Sequence, residues 1–182
     1  MAVPDGVYRI GPESGRLLVR TARTGLGAKA GHDLTIEAAS WRGQVTVDSA
    51  EPANAAVSLD VDVDSFEVRE GTGGVKPLSD SDRRDIKRNI SQKILHTDRH
   101  PSISFRSTRV QGTPEAVTVD GELTITGKTQ PITVQGSISE GRLHATATVV
   151  QSRWGIKPYT AFLGALKLRD EVEIELTATL TP

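Results

Sequence analysis

The sequence predicts a mainly β protein in which antiparallel strands form a meander that closes into a barrel or a sandwich, with one amphipathic helix inserted. Three observations support this prediction. Apolar and polar residues alternate along most of the chain, as they do in strands with one buried and one solvated face. Glycine- and proline-rich turns interrupt the alternation at spacings of about ten residues. One segment instead repeats its apolar residues every four positions, as a helix does.

The first half of the chain contains an early turn and a long predicted strand. Residues 11–15 (GPESG) have the composition of a turn and separate the first two strands. A longer strand begins at Leu34 and continues through Trp41 to Val47. The strand after it alternates between an apolar set and a polar set: Val57, Leu59, Val61 and Val63 against Ser58, Asp60, Asp62 and Asp64.

One segment, residues 79–96, predicts the amphipathic helix. Its apolar residues recur every four positions and form a narrow stripe: Ile86, Ile90 and Ile94. Ser79 with Asp82 three positions later resembles a capping box, in which side chains satisfy the free N–H groups of the first turn. Pro101 prevents helix beyond it. We therefore expect a helix that lies over one end of the sheet structure.

The second half of the chain returns to alternation in strands bounded by turns. Residues 112–114 (GTP) and 139–141 (SEG) have turn composition. The apolar positions that share a parity along these strands are Ile103 and Phe105; Leu123 and Ile125; Ile132, Val134 and Ile138; Leu143, Ala145, Ala147 and Val149; Val172, Ile174, Leu176, Ala178 and Leu180. Each strand therefore has one face suited to an apolar interior.

Composition and charge exclude several classes of protein. The chain has 182 residues, 22 basic and 23 acidic, and a net charge of −1, so it lacks the strongly positive character of a nucleic-acid-binding protein. Cysteine is absent, which excludes disulfides and thiolate metal sites. No run approaches the roughly 18 apolar residues of an integral membrane segment. The segment Met1–Gly6 lacks the features of a secretory signal, so we expect a cytoplasmic protein.

Two glycine-containing segments imitate phosphate-binding motifs. Residues 25–30 (GLGAKA) match the dinucleotide fingerprint, but the next segment alternates as a strand where the fingerprint requires a helix. Residues 121–129 (GELTITGKT) place five residues between the glycines, whereas a phosphate-binding loop has four. We interpret both segments as strands and hairpin turns and expect no cofactor.

Acidic and histidine residues do not predict a metal centre. The aspartates at 60, 62 and 64 have the spacing of the first three ligands of a calcium-binding loop. The glycine and glutamate that such a loop needs at later positions are missing. His96 and His100 have helical i, i+4 spacing, but the helix is expected to have ended there. We interpret the aspartates as a solvated strand face and expect no bound metal.

The sequence also contains no recognisable set of catalytic residues. The chain has no cysteine nucleophile and no G-x-S-x-G elbow. His32 follows Gly31 and begins a predicted strand. Its side chain is placed either to bind a ligand head group or to brace a loop, and the sequence does not choose between these.

Five stretches occur in an order that is typical of one family. They are residues 84–88 (RDIKR), 99–107 (RHPSISFRS), 119–129 (VDGELTITGKT), 152–156 (SRWGI) and 170–174 (DEVEI). Over about residues 7–181 they resemble the helix, strand and hairpin motifs of the YceI family. The chain departs from the family at position 100, where histidine replaces the usual tyrosine, and around residues 31–34 (GHDL).

The resemblance implies a more specific fold than alternation alone. A YceI-like chain is expected to form an extended, eight-stranded, antiparallel, lipocalin-like β-barrel with one helix, as a single domain over residues 1–182. It is also expected to enclose a long apolar cavity for an isoprenoid, a lipid or another amphiphile. The resemblance allows a homodimer.

The residues expected to bind such a ligand come from the predicted inward faces and the few aromatic positions. Phe105 and Trp154 are the strongest aromatic candidates, with plain core packing as the alternative role. Small inward residues leave volume for a guest, which favours the strand around residues 57–61. The full set of predicted ligand-binding residues is His32, Val57, Leu59, Val61, Phe66, Phe105, Ile125, Trp154 and Phe162.

Three functions are open at this point. The first is a binding or carrier protein for a hydrophobic small molecule, with no catalytic residues. The second is an enzyme, isomerase-like, that acts on a hydrophobic substrate through a cavity histidine beside a carboxylate. The third is a structural or stress-related module whose core is fully packed. The expected partner is a hydrophobic ligand, and neither nucleic acid nor an integral membrane segment is expected.

Overall fold

A computed structural model describes residues 3–161 and 166–182, which form fourteen strands and one long helix. The strands in chain order are β1 Gly6–Ile10, β2 Gly15–Thr21, β3 Arg23–Thr24, β4 Asp33–Ala38, β5 Trp41–Val47, β6 Ala56–Asp62, β7 Phe66–Thr72, β8 Ser102–Thr113, β9 Ala116–Ile125, β10 Lys128–Ser139, β11 Arg142–Val150, β12 Thr160–Ala161, β13 Leu166–Leu168 and β14 Glu171–Thr179. The helix α1 spans Asp80–Asn89 and continues as a π-helical turn, Ile90–Ile94.

Eleven of these strands form one antiparallel sheet, in the order β1-β5-β6-β8-β9-β10-β11-β14-β2-β4-β7. The remaining three form a small sheet, β12-β13-β3. The mainly β class and the antiparallel arrangement are confirmed. The expectation of an eight-stranded closed barrel is wrong, because the sheet is a strongly curled half-barrel whose edge strands, β1 and β7, are not hydrogen-bonded to each other.

The sheet curls because one long two-stranded ribbon bends in its middle. Only Ala39 and Ser40 separate β4 from β5, and only the turn Val63–Ser65 separates β6 from β7. At the bend, the Ala39 amide donates to the Ser65 carbonyl oxygen and the Asp62 amide donates to the Ser40 carbonyl oxygen, each at 3.0 Å. The ribbon stays paired through the corner, so it contributes two strands to each end of the sheet. This bend accounts for two of the three strands beyond the expected eight.

Two bulges add to the curvature. Arg69 is left unopposed where the pairing of β4 with β7 shifts, and Thr108 is left unopposed where β8 pairs with β9. An extra residue on one strand bends that strand and increases the local twist. Strands as long as β8 and β10 can therefore wrap around an interior rather than run flat.

Two tight hairpins set the register of the central strands. The β9–β10 turn has Thr126 and Gly127 at φ 51° and 75°, and the β10–β11 turn has Glu140 and Gly141 at φ 50° and 76°. Two consecutive positive φ values define the type I′ turn, whose twist matches that of paired strands. The segment that imitates a phosphate-binding loop therefore contains a hairpin.

The predicted helix is confirmed, and it begins with the predicted cap. Ser79 Oγ accepts a hydrogen bond from the Asp82 amide at 3.1 Å, and the Asp82 carboxylate accepts one from the Ser79 amide at 2.9 Å. These two bonds satisfy N–H groups that no helical carbonyl can reach. The Leu95 amide donates to the Ile90 carbonyl oxygen at 2.8 Å, which closes the π-helical turn. No described helix has the length and apolarity that a membrane crossing requires.

The helix covers the edge strand β7. Arg83 reaches across and donates to the carbonyl oxygens of Val68 and Arg69, at 3.2 and 2.8 Å. Lys87 forms an ion pair with Glu67 on the same strand. An uncovered sheet edge presents free backbone groups that recruit other chains. These contacts satisfy part of that edge and hold the helix against the open side of the curled sheet.

A charged network lies on the outer face of three adjacent strands. The Glu37 carboxylate on β4 lies 2.9 Å from the Arg16 guanidinium on β2 and 3.1 Å from that of Arg69 on β7. The hydrogen bond from Arg16, aided by Arg69, holds the pKa of Glu37 below its ordinary value. The network therefore links neighbouring strands through a carboxylate that is ionised at neutral pH.

We predict that Ser79→Ala destabilises the protein by about 0.5–2 kcal/mol, because the first helical turn loses its cap. Urea unfolding followed by circular dichroism measures the change. Ser81→Ala is the matched control, since Ser81 is exposed in the first helical turn and alanine has the higher helix propensity. Equal effects of the two substitutions would contradict the assigned cap.

We predict that Glu37→Gln lowers the free energy of unfolding by up to about 1 kcal/mol at neutral pH, since the partners are largely exposed. A lowered pKa means that the carboxylate contributes fully above its ordinary value of 4.5 and that the contribution is lost as the pH falls through the lowered value. The difference between wild type and variant should therefore shrink below about pH 4.5.

Unfolding curves at a series of pH values measure this effect. Glu122→Gln is the control, because Glu122 is an exposed strand carboxylate that forms no ion pair with any described residue. A Glu37→Gln penalty that persists unchanged in acid would mean that the network contributes through packing rather than charge.

Candidate functional site

The curled sheet and the helix surround a cavity of about 670 Å³. Its walls come mainly from the inner faces of β2, β4, β5, β6, β8, β9, β10, β11 and β14, with one residue each from β7 and β13, and one side comes from the helix. Pockets that bind small molecules typically have volumes of about 300–1,000 Å³. The interior is therefore large enough for a ligand, and the expectation of a fully packed core does not fit it.

Strand alternation makes the walls aliphatic. On β4, β6, β10, β11 and β14, most of the inward residues are those that the period of two predicted, and small side chains occur where three strands meet. Ala145 on β11 pairs with Gly136 on β10 and with Leu176 on β14, and Ala147 follows two positions later on the same face. Because alanine and glycine occupy little space, this part of the wall leaves volume open.

The helix contributes its apolar stripe to the cavity. The lining residues of this stretch are Ile86, Asn89, Ile90, Ile94 and Leu95. The isoleucine spacing that predicted the helix thus also predicted the face that it turns inward. The carboxamide of Asn89 is a polar group on this otherwise apolar face, and no described residue hydrogen-bonds to it. Sequence reasoning did not select it, although its position three residues after Ile86 was the available signal.

Two predicted aromatic residues lie in the wall. Phe105 is buried and lines the cavity, and its ring packs over Gly121 on the neighbouring strand β9. A Cβ at position 121 would collide with that ring, so only glycine allows this placement. Phe66, at the start of β7, is also buried and lines the cavity.

Most of the predicted aliphatic residues are also in the lining. Val57, Leu59 and Val61 line it from β6, and Ile125 lines it from β9. Their contact with a ligand stays a prediction. Phe162 lies outside the described residues.

Trp154 does not line the cavity, although it was predicted to bind the ligand there. Only 2% of its surface is exposed, and it is not among the residues that line the cavity. The indole N–H donates to the Leu123 carbonyl oxygen at 2.8 Å. The ring therefore packs behind the wall and supports it, which matches the alternative role of core packing.

His32 lies just before β4 and lines the cavity. Its Nε2 is 2.6 Å from the carbonyl oxygen of Lys76, in the loop before the helix. An acid–base mechanism of the kind considered above would pair this ring with a carboxylate, but its hydrogen-bond partner among the described residues is a backbone carbonyl. His100 is not part of the lining. The ring thus braces the loop while it faces the interior.

One end of the cavity reaches a place where several loops meet. Gly31, His32, Tyr159 and Leu168 line it there. The Leu168 amide donates to the Tyr159 carbonyl oxygen at 3.0 Å, and the Arg23 guanidinium donates to the Gly31 carbonyl oxygen. We call this end of the cavity, with the loops of residues 22–32, 71–78 and 157–161 and the strand segment 166–169, the cavity mouth. These contacts make the mouth one connected structure.

The described residues bring together no group of three histidine, aspartate, glutamate or cysteine side chains that could hold a metal ion. Asp60, one of the three aspartates considered as a metal site, pairs with Arg106 at 2.8 Å. Asp64 lies in the turn at the ribbon bend and not in β6. The aliphatic cavity is suited to enclosing an apolar molecule.

Comparison with known proteins agrees with this geometry. The sequence profile of the YceI-like domain matches residues 12–180. Burkholderia cenocepacia BcnA has a similar structure, with a TM-score of 0.65, 18% identity, and coverage of 91% of this chain and 96% of that one. The Campylobacter jejuni YCEI protein has a TM-score of 0.55, 14% identity, and coverage of 81% and 85%. No protein with a curated description matches the sequence.

We predict that Trp154→Phe destabilises the fold by about 1–3 kcal/mol more than Trp41→Phe does, because it leaves the Leu123 carbonyl without its donor. Trp41 is the matched control, since it is also buried but its indole N–H has no partner to lose. Chemical unfolding followed by far-ultraviolet circular dichroism compares the two variants. Equal losses would show that the hydrogen bond contributes nothing beyond ring packing.

Proposed function

Because the chain belongs to the YceI-like family, a family of lipid- and isoprenoid-binding proteins, we propose that it binds and carries a hydrophobic small molecule inside its curled sheet. The ligand class that fits best is a single long apolar chain, isoprenoid or acyl, that ends in one polar group. The proposed binding residues are those of the cavity wall.

The observation that supports this proposal is the shape and lining of the cavity. A volume of about 670 Å³ is enclosed by aliphatic residues from nine strands and by the isoleucine stripe of the helix. A packed structural module would fill this space with side chains, as protein interiors normally are filled. An apolar space of this size that is not filled by the chain itself favours occupation by a guest.

The expected affinity follows from burial of the guest. Each methylene group that leaves water contributes about 0.8 kcal/mol, so five carbons of a prenyl unit contribute roughly 3–4 kcal/mol before the cost of ordering the chain. A wall that is almost entirely aliphatic does not discriminate strongly among apolar chains. We therefore expect tight but broad binding along the chain.

Polar groups at two places in the cavity would orient a bound amphiphile. Asn89 provides an amide inside the cavity, and Tyr159 and His32 lie at the mouth. A guest with its tail inside and its polar group at the mouth keeps that group hydrated, which avoids the cost of burying it. This arrangement favours an amphiphile over a pure hydrocarbon.

We predict that Ala147→Phe weakens binding of an apolar chain by about tenfold or more, because the ring displaces roughly two methylene groups of the guest. Thr148→Phe is the matched control, since the next residue of β11 is exposed on the outer face. Fluorescence titration with dansyl-undecanoic acid, with farnesol as competitor, measures both variants after circular dichroism has shown that they are folded.

Organic extraction of the purified protein followed by mass spectrometry identifies what the cavity carries. Recovery of a lipid in stoichiometric amount from wild type, with less from Ala147→Phe, is the expected result. A protein that yields no lipid and takes up neither probe would overturn the proposed function.

A further inference from the structure

We propose that the cavity mouth is a docking surface for the face of an anionic lipid bilayer. This goes beyond the proposed function, since a carrier can also load its cargo from solution or from another protein. The proposal rests on the charge of the mouth, on its exposed apolar side chains, and on its continuity with the cavity.

The loops of the mouth are held together as one surface. Strand β3 pairs with β13, and the Arg169 amide donates to the Ala22 carbonyl oxygen at 2.8 Å, which joins residues 22–32 to residues 166–169. The contact between His32 and the Lys76 carbonyl joins the loop of residues 71–78 to the same surface. Side chains on these loops therefore belong to one continuous surface, which a single partner can contact.

The chain segments that form the mouth are positively charged, opposite to the rest of the chain. The mouth segments carry six basic residues and no acidic residue, although the whole chain has a net charge of −1. The six are Arg23, Lys29, Lys76, Lys157, Lys167 and Arg169. The four lysines are exposed, and none forms an ion pair within residues 3–161 and 166–182.

Two of the acidic residues that border the mouth, Asp33 and Asp170, are already engaged. Asp33 accepts from the Arg23 backbone amide at 2.8 Å and pairs with its guanidinium at 3.4 Å. Asp170 accepts from the Ser152 amide and hydroxyl. The four lysines are exposed and have no ion-pair partner among the described residues, and exposed basic residues attract the anionic lipids of a bilayer surface.

Exposed apolar side chains occupy the same loops as these lysines. Three of the four large apolar residues that are exposed on the described surface lie on the mouth loops: Leu26, Val75 and Tyr159. Leu26 is fully exposed and Val75 is 79% exposed. Apolar tips among lysines are the composition that inserts into the headgroup region of a bilayer. Tyr159 has the amphipathic ring that is favoured at that depth.

The docking surface adjoins the cavity, so docking there would bring the cavity close to the bilayer. Tyr159 belongs both to the exposed mouth and to the cavity lining. A protein seated on a bilayer through these loops would face its cavity toward the lipid tails. An apolar chain could then pass between bilayer and cavity without crossing water, which would otherwise cost about 0.8 kcal/mol for each exposed methylene group.

Vesicle flotation with the full-length protein tests the proposal. Phosphatidylcholine vesicles that contain phosphatidylserine are compared with vesicles of pure phosphatidylcholine. We expect binding to the anionic vesicles only, and we expect salt to weaken it because the lysines are solvent-exposed. Equal binding to both kinds of vesicle, or binding to neither, would overturn the proposal.

Matched variants locate the surface. Leu26→Ser and Val75→Ser should each weaken binding several-fold, whereas Val7→Ser should not, because Val7 is a 60%-exposed valine on the edge strand β1. Replacing both Lys76 and Lys157 by glutamine should weaken binding by about 25-fold, at roughly fivefold for each charge. Arg142→Gln, in the exposed β10–β11 hairpin, is the charge control and should have little effect.

If the mouth variants and their controls weaken binding equally, this surface is not the docking site. Titration of the same variants with dansyl-undecanoic acid in solution separates this inference from the proposed function. Normal uptake without vesicle binding would overturn docking and leave the carrier function standing. Vesicle binding without uptake of any chain would overturn the carrier function and leave docking standing.

Discussion

The bend of the β4–β5 and β6–β7 ribbon is the constraint on which the rest of the structure depends. Two backbone hydrogen bonds, from Ala39 to Ser65 and from Asp62 to Ser40, keep the strands paired through the corner. The ribbon therefore contributes β5 and β6 near one edge of the sheet and β4 and β7 at the other. A sheet constrained in this way must wrap around an interior, and its concave face becomes the wall of a cavity.

Whether that interior is filled depends on side-chain size and on the helix. Ala145, Ala147 and Gly136 leave space that larger residues would close. The helix covers the open side with an isoleucine stripe, while Arg83 anchors it to the carbonyl groups of edge strand β7. The helix thus limits the exposure of a sheet edge and completes an apolar wall. Both roles follow from one amphipathic segment held at its start by a capping box.

The distribution of polarity separates an aliphatic interior from a basic surface. The cavity wall is aliphatic, and the basic residues of the mouth lie on surface loops. Tyr159 belongs to both regions. The proposed carrier function would need this separation, because an apolar tail is stable only away from water while recognition of a charged surface depends on exposed side chains.

The sequence by itself determined several strand faces, the helix with its cap, and a turn around Gly127, because each depends on residues that are neighbours in the chain. It also placed Val57, Leu59 and Ile125 on inward faces. Only the tertiary structure decided the strand count and the open edges, which depend on hydrogen bonds between distant residues such as Ala39 and Ser65. The same holds for the two aromatic candidates. Alternation and composition make Phe105 and Trp154 equivalent, but Gly121 lets one ring reach the cavity wall while the Leu123 carbonyl holds the other behind it.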